Sequence, residues 1–192
     1  MKTIKFNSTN EIVIKNSRFI TLLFKIYDDT DIDKIFDSVK ISYPKATHYC
    51  YAYITKSYKK SSDDGEPGGT AGMPMLNVLE KEEMINILAI TVRYFGGIKL
   101  GAGGLVRAYS KSVREAIMNS SIIGIDEGYY VRLDVSYEEQ RNLDYILRNH
   151  VILEKEYLEK VTYNVLIPKN NIDILNNYSY QIIKEEYIEK VL

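Results

Sequence analysis

A single cysteine, no tryptophan and only four prolines occur in this chain of 192 residues. One cysteine, Cys50, excludes an internal disulfide and a zinc site built from several thiolates. No apolar run approaches the roughly 20 residues that a membrane-spanning helix needs. The opening Met1-Lys2-Thr3-Ile4-Lys5-Phe6 leads into polar residues with no apolar signal-peptide core. The expectation is a cytoplasmic protein without a membrane partner. A surplus of one charge is missing too, since 25 Lys/Arg face 26 Asp/Glu. That balance is weak support for nucleic acid as a partner.

What is present is an ordinary globular composition, 45% hydrophobic and 27% charged, in a length that suits one domain or two modest ones. Charge is unevenly spread. Residues 1–124 hold 17 Lys/Arg and 13 Asp/Glu, whereas residues 125–192 hold 8 and 13. The hydrophobic pattern also resets between Gly124 and Gly128, which places a boundary between domains 1–125 and 126–192. The acidic second domain is a candidate surface for a protein partner.

Five of the eleven glycines fall between Arg93 and Arg107: Gly96, Gly97, Gly101, Gly103 and Gly104. The β-branched run Ile87–Val92 before them reads as a buried strand. Leu105, Tyr109, Val113, Ala116 and Ile117 after them recur at helical spacing. Strand, glycine loop and helix start form an arrangement in which backbone N–H groups face an anion. Arg93, Lys99 and Arg107 would add cations. The alternative is a tight turn whose glycines serve packing only. The stretch is neither of two named nucleotide motifs. It has no Gly-Lys dipeptide for a P-loop, and Val106 replaces the third glycine of a dinucleotide fingerprint.

A second block, Ser61–Gly72, is a loop rich in glycine and carboxylates. Asp63, Asp64 and Glu66 suit a hard cation, and they equally suit a solvated turn or a salt bridge to the basic stretch. His48 and Cys50 share one strand face about 6–7 Å apart, too far for a thiol–imidazole dyad. They read as half-core residues. His150 sits at a helix end, where a cation is favoured by the dipole.

Elsewhere, strands are expected at Glu11–Ile14 and Phe19–Phe24 around a turn at Lys15–Arg18. A helix follows with Asp31 as N-cap, then an aromatic strand His48–Ile54, and a short helix around Met75–Leu79. The second domain shows clean alternation from Tyr129 to Tyr137. Next come a helix through Leu143 and Leu147, strands at 151–157 and 161–167, a helix begun by Pro168, and a strand at 181–188. The fold class is therefore α+β, and the second domain reads as a ferredoxin-like βαββαβ unit.

Three blocks together closely resemble the YigZ/IMPACT family. They are Lys45-Ala46-Thr47-His48-Tyr49-Cys50; Asp63-Asp64-Gly65-Glu66-Pro67 with Gly69-Thr70-Ala71-Gly72; and the run from Arg93 to Tyr109. The resemblance covers about Arg18 to Ile117. Gly68 and Met73 depart from it, standing where many relatives have a serine and several a basic residue. It implies an N-terminal domain similar to domain IV of elongation factor G, with a left-handed βαβ unit, and a C-terminal domain like domain V. Eukaryotic relatives act in translational control and associate with ribosomes. The resulting expectation is a non-enzymatic binding protein that contacts RNA, the ribosome or a translation factor through Arg93, Lys99, Gly101, Gly103, Gly104 and Arg107. The acidic-loop candidates are Asp63, Asp64, Glu66 and Thr70. No catalytic residue, cofactor or metal is assigned. The alternative is an enzyme acting on a phosphorylated or nucleotide substrate with Asp64, Glu66 and a metal.

Overall fold

A strand that is buried at seven consecutive positions, Ile87 to Arg93, requires a covering layer on each face. The computed structural model, which describes residues 1–190, supplies both. Its first compact unit, Met1–Ile123, runs in the order β1 (Lys2–Ile4), β2 (Ser8–Ile14), β3 (Ser17–Lys25), α1 (Ile32–Ser42), β4 (His48–Ile54), β5 (Lys59–Ser62), α2 (Gly72–Lys81), β6 (Ile87–Tyr94) and α3 (Ala102–Met118). The sheet order is β2-β3-β6-β4-β5, and every neighbouring pair is antiparallel. Strands β3 and β4 thus run parallel with β6 between them, joined by α1.

Alternation along the strands sorts the core into two clusters. Leu88, Ile90 and Val92 of β6 pack with Ile32 and Val39 of α1. Ile87 and Ala89 pack with Met75 and Leu79 of α2 and with Leu105, Tyr109 and Val113 of α3. The layers are therefore α1, sheet, and α2 with α3.

Several local expectations shift. The turn between β2 and β3 is just Lys15 and Asn16, both at positive φ (45° and 61°), so Arg18 belongs to β3. That two-residue turn matches the right-handed twist of the strands it joins. Asp31 precedes α1 but does not cap it; its carboxylate accepts from Lys34 Nζ at 2.9 Å. Part of the expected loop, Lys59–Ser62, pairs with β4 as an edge strand. Short β1 is held by Lys2 N–H to the Glu83 carbonyl and Lys5 N–H to the Ser121 carbonyl, at 3.0 and 2.7 Å.

The second unit begins at Gly124 and contains most of β7 (Ile122–Val135), then α4 (Tyr137–Leu147), β8 (Val151–Tyr157), β9 (Val161–Pro168), a 3₁₀ helix at Lys169–Leu175, and β10 (Tyr180–Lys190). Its strands are ordered β10-β7-β9-β8, all antiparallel. A reciprocal capping box starts α4: Ser136 Oγ accepts from Glu139 N–H at 3.3 Å, and Ser136 N–H donates to Glu139 Oε2 at 2.9 Å. Pro168 ends β9 instead of opening an α-helix. The segment after it is dense in Asn and Asp, which favour turns over helix interiors, and only Leu175 of it is buried. Burial pushes the His150 imidazole pKa down, which works against the cation expected at that helix end. Among the described residues no helix is long and apolar enough to cross a membrane.

Candidate functional site

Three side chains stand in a row across one edge of the first sheet. Phe19, Arg93 and His48 occupy facing positions on β3, β6 and β4. By strand parity they lie on the α2/α3 face, beyond Ala89 and Cys50 of the same core. The Arg93 guanidinium sits 5.4 Å from the Phe19 ring centre and 5.5 Å from that of Phe95. Flat cationic groups favour such aromatic neighbours. Arg93 is 5% exposed and forms a buried ion pair with Glu66. It is therefore no free surface cation, as the sequence reading supposed. Its strand position turns the guanidinium inward, where it answers a carboxylate.

The acidic loop delivers that carboxylate. Asp63 accepts from the N–H groups of Gly69, Ala71 and Gly72 at 2.8, 2.9 and 2.8 Å, which closes the loop onto the start of α2. Burial opposes its charge, but the three amides outweigh burial and hold its pKa below the usual range. Asp64, at φ 41°, accepts Tyr49 N–H on its carboxylate at 2.6 Å and His48 Nδ1–H on its carbonyl at 2.7 Å. Thr70 Oγ1 donates to the Pro67 carbonyl at 2.6 Å. Asp63, Asp64 and Thr70 thus fix the loop, and the Glu66 carboxylate reaches Arg93 in the row of side chains.

Glu66 has a side chain 4% exposed. Its Oε1 accepts from Arg93 and from the Tyr109 hydroxyl at 2.8 Å. The Cys50 thiol lies 3.2 Å from that hydroxyl and 3.0 Å from the Asp63 carbonyl. Burial pushes the thiol up to about 12 and raises the Tyr109 phenol as well. Burial of this kind disfavours the thiolate that a nucleophilic cysteine needs. The other carboxylate oxygen, Oε2, faces His48 Nε2 at 3.7 Å.

The glycine stretch forms the opposite wall. Gly96 passes so near the β2–β3 turn that a Cβ would sit 2.0 Å from the Asn16 carbonyl carbon. Gly101, at φ 71°, turns the chain into α3. No side chain caps that helix, and no acidic residue lies in its first turn. The first intrahelical bond is donated by Leu105, so the N–H groups of Ala102, Gly103 and Gly104 have no partner within the helix. A cleft of about 430 Å³ lies between the two blocks. Thr47, His48, Glu66, Pro67 and Arg93 line it together with Phe95, Lys99, Leu100, Gly101, Ala102 and Leu105.

Of the residues singled out from sequence, Arg93, Lys99, Gly101 and Glu66 meet in this cleft. Gly103, Gly104, Arg107, Asp63, Asp64 and Thr70 are not among its lining. Arg107 is exposed on α3, with Nη1 3.8 Å from where a Gly103 Cβ would stand. His48 and Tyr109 are neighbours of Glu66 that sequence reasoning did not select as site residues. The signal for His48 was strand parity with Cys50, which placed both on the helix-covered face. Among the described residues no three His, Cys, Asp or Glu side chains converge as a metal-binding group.

A family model for the Impact N-terminal domain matches residues 15–117, which include both walls of the cleft. The chain belongs to the IMPACT family. Over 99% of its length it is 36% identical to IMPACT family member YvyE of Bacillus subtilis, covering 94% of that protein. It is 46% identical to IMPACT family member YigZ of Escherichia coli over 54% of this chain and 53% of that one. A solved structure titled as an hypothetical protein aligns over 100% of this chain and 96% of its own, at 28% identity and a TM-score of 0.62. The IMPACT match and the cleft therefore coincide in the first unit.

Proposed function

We propose that this IMPACT-family protein is a non-enzymatic binding protein of the translation apparatus, contacting RNA phosphates on the ribosome or on a translation-factor complex. The observation that carries the reading is the uncapped start of α3, with three N–H groups unpaired in the helix and Lys99 beside it at the mouth of a cleft. Exposed Phe95 and Ile98 add apolar surface on which an unpaired base can stack. The YigZ/IMPACT resemblance supplies the translational setting, and the cytoplasm is the expected compartment. The finer domain likenesses belong to the same proposal. The order β10-β7-β9-β8 supports a ferredoxin-like second unit, and the β3-α1-β4 connection is the candidate for the left-handed unit of an elongation-factor-like first one.

The metal-dependent alternative is weakened by the donors already present. Asp64 accepts Tyr49 N–H, and one oxygen of Glu66 accepts Arg93 and Tyr109, so each carboxylate is already partly engaged by protein donors. The test of the binding reading is the full chain carrying Lys99→Glu and Arg107→Glu. Reversing two cations near the phosphate path should abolish co-sedimentation with RNA or ribosomes at low salt. The unmodified protein should lose binding steeply as salt rises, because phosphate contacts release counterions. Unchanged co-sedimentation of the double variant at low salt overturns the reading.

A further inference from the structure

Glu66 is left half satisfied in a place where that matters. Arg93 and Tyr109 both approach Oε1, and among the described residues no hydrogen bond reaches Oε2. His48 Nε2 lies 3.7 Å from it. The His48 ring is oriented by its other nitrogen, which donates to the Asp64 carbonyl, so Nε2 is the free atom. A separation of 3.7 Å is too long for a hydrogen bond between the two. It is the right span for one small polar group within about 2.8 Å of each. Both residues line the cleft that Lys99 and the start of α3 also line. A carboxylate whose side chain is 4% exposed holds a strong demand for donors.

The character of that missing group follows from its surroundings. A cationic amine would meet the positive charges of Arg93 and Lys99, whereas a neutral hydroxyl would not. With Nδ1–H bonded to the Asp64 carbonyl, Nε2 of a neutral ring is an acceptor like Oε2, so a hydroxyl gives its one proton to the carboxylate and packs beside the ring. The same cleft offers an anion position at its helix-start wall and an exposed ring in Phe95. Hydroxyl, phosphate and planar apolar body are the three parts of a ribonucleotide unit.

We propose that the cleft is a ribose-phosphate site, in which a ribose 2′-hydroxyl donates to Glu66 Oε2 beside His48 while the phosphate sits at the start of α3 near Lys99. This rests on the RNA-binding reading and sharpens it, because the 2′-hydroxyl is what separates RNA from DNA at a given position. The site takes one ribonucleotide unit, either free or within a strand.

The test varies the ligand and leaves the buried pair intact, since substitution of Glu66 strands Arg93. Fluorescence anisotropy on the full chain compares a short single-stranded RNA, the same sequence as DNA, and the same sequence with 2′-O-methyl ribose. The RNA should bind about tenfold or more tighter than either analogue, as expected for a hydrogen bond to a charged acceptor. Lys99→Glu should weaken the RNA by a similar factor. Competition by adenosine 5′-monophosphate but not its 2′-deoxy form supports the proposal and places recognition on a single nucleotide. RNA preference without such competition supports it with recognition that needs the neighbouring phosphates. Equal affinity for all three strands, still dependent on salt and on Lys99, overturns the ribose assignment and leaves the phosphate reading standing. Absence of salt-dependent binding to any strand overturns both.

Discussion

Each unit of the molecule contains a carboxylate, a cation and a tyrosine held together, and the two clusters are finished differently. In the second unit Asp144 accepts from Lys155 Nζ on both oxygens, at 2.8 and 2.9 Å, from the Tyr163 hydroxyl at 2.7 Å, and from Gln140 at 3.5 Å. Burial works against the Asp144 charge, but Lys155 and Tyr163 outweigh it and hold the carboxyl below its usual range. The Tyr163 phenol is pushed up to about 12, chiefly by burial. Each oxygen takes two of these contacts, and the Asp144 side chain is still 40% exposed. In the first unit Glu66 is ten times less exposed, at 4%, yet one oxygen faces a cleft without a donor. A saturated, half-exposed cluster pins a helix to a sheet. A buried one with a carboxylate oxygen turned to a cleft, beside the start of α3, is the arrangement on which the binding proposal rests.

Removing the cation from each cluster should break the comparison most visibly. Arg93→Ala leaves Glu66 buried and uncompensated, with an expected loss of about 3–5 kcal/mol in denaturant unfolding. The corresponding Lys155→Ala exposes Asp144 to water that already reaches it, and should cost about 1 kcal/mol or less. Equal losses would show that burial does not separate the clusters. A change of intermediate size is expected for Asp63→Asn, which keeps the loop's shape but weakens its hold on three amides, at a cost of about 1–2 kcal/mol. The pH dependence has a definite sign. The folded pKa of Asp63 is depressed, so its contribution is complete above the unfolded value near 3.9 and is lost as pH falls through the lower folded value. Stability measured below about pH 4 should therefore decline less steeply in the variant than in the parent protein. Parallel curves would mean that the amides do not hold the charge.

Much of this architecture was legible in the sequence, for physical reasons that differ along the chain. Ile87–Val92 declared a buried strand because β-branched residues fill every position. The helix after Gly101 followed from the spacing of Leu105, Tyr109 and Val113. Alternation from Tyr129 to Tyr137 announced β7 for the same kind of reason. The strands β1 and β5 were not legible, since three or four largely polar residues pair only because a distant partner presents an edge. At the site, the glycine and acidic blocks could be located but not assigned. Nothing in the order of residues says that Asp63 and Asp64 bind the backbone while Glu66 turns inward. For Arg93 the salt bridge to the acidic loop, one of the alternatives its sequence allows, is the arrangement found, with Glu66 twenty-seven positions earlier as the partner. His48 was set aside on its distance from Cys50, although its partners are in the acidic loop.

On the proposed reading, binding belongs to the cleft of the first unit and not to the acidic second unit. Amide chemical-shift mapping of the full chain during titration with short single-stranded RNA tests it most directly. The predicted result is perturbation concentrated at Lys99, Gly101 and Ala102–Leu105, with His48 and Glu66 also responding and the amides from Tyr137 onward unmoved. Perturbation centred on β7–β10, with the start of α3 unchanged, would contradict it.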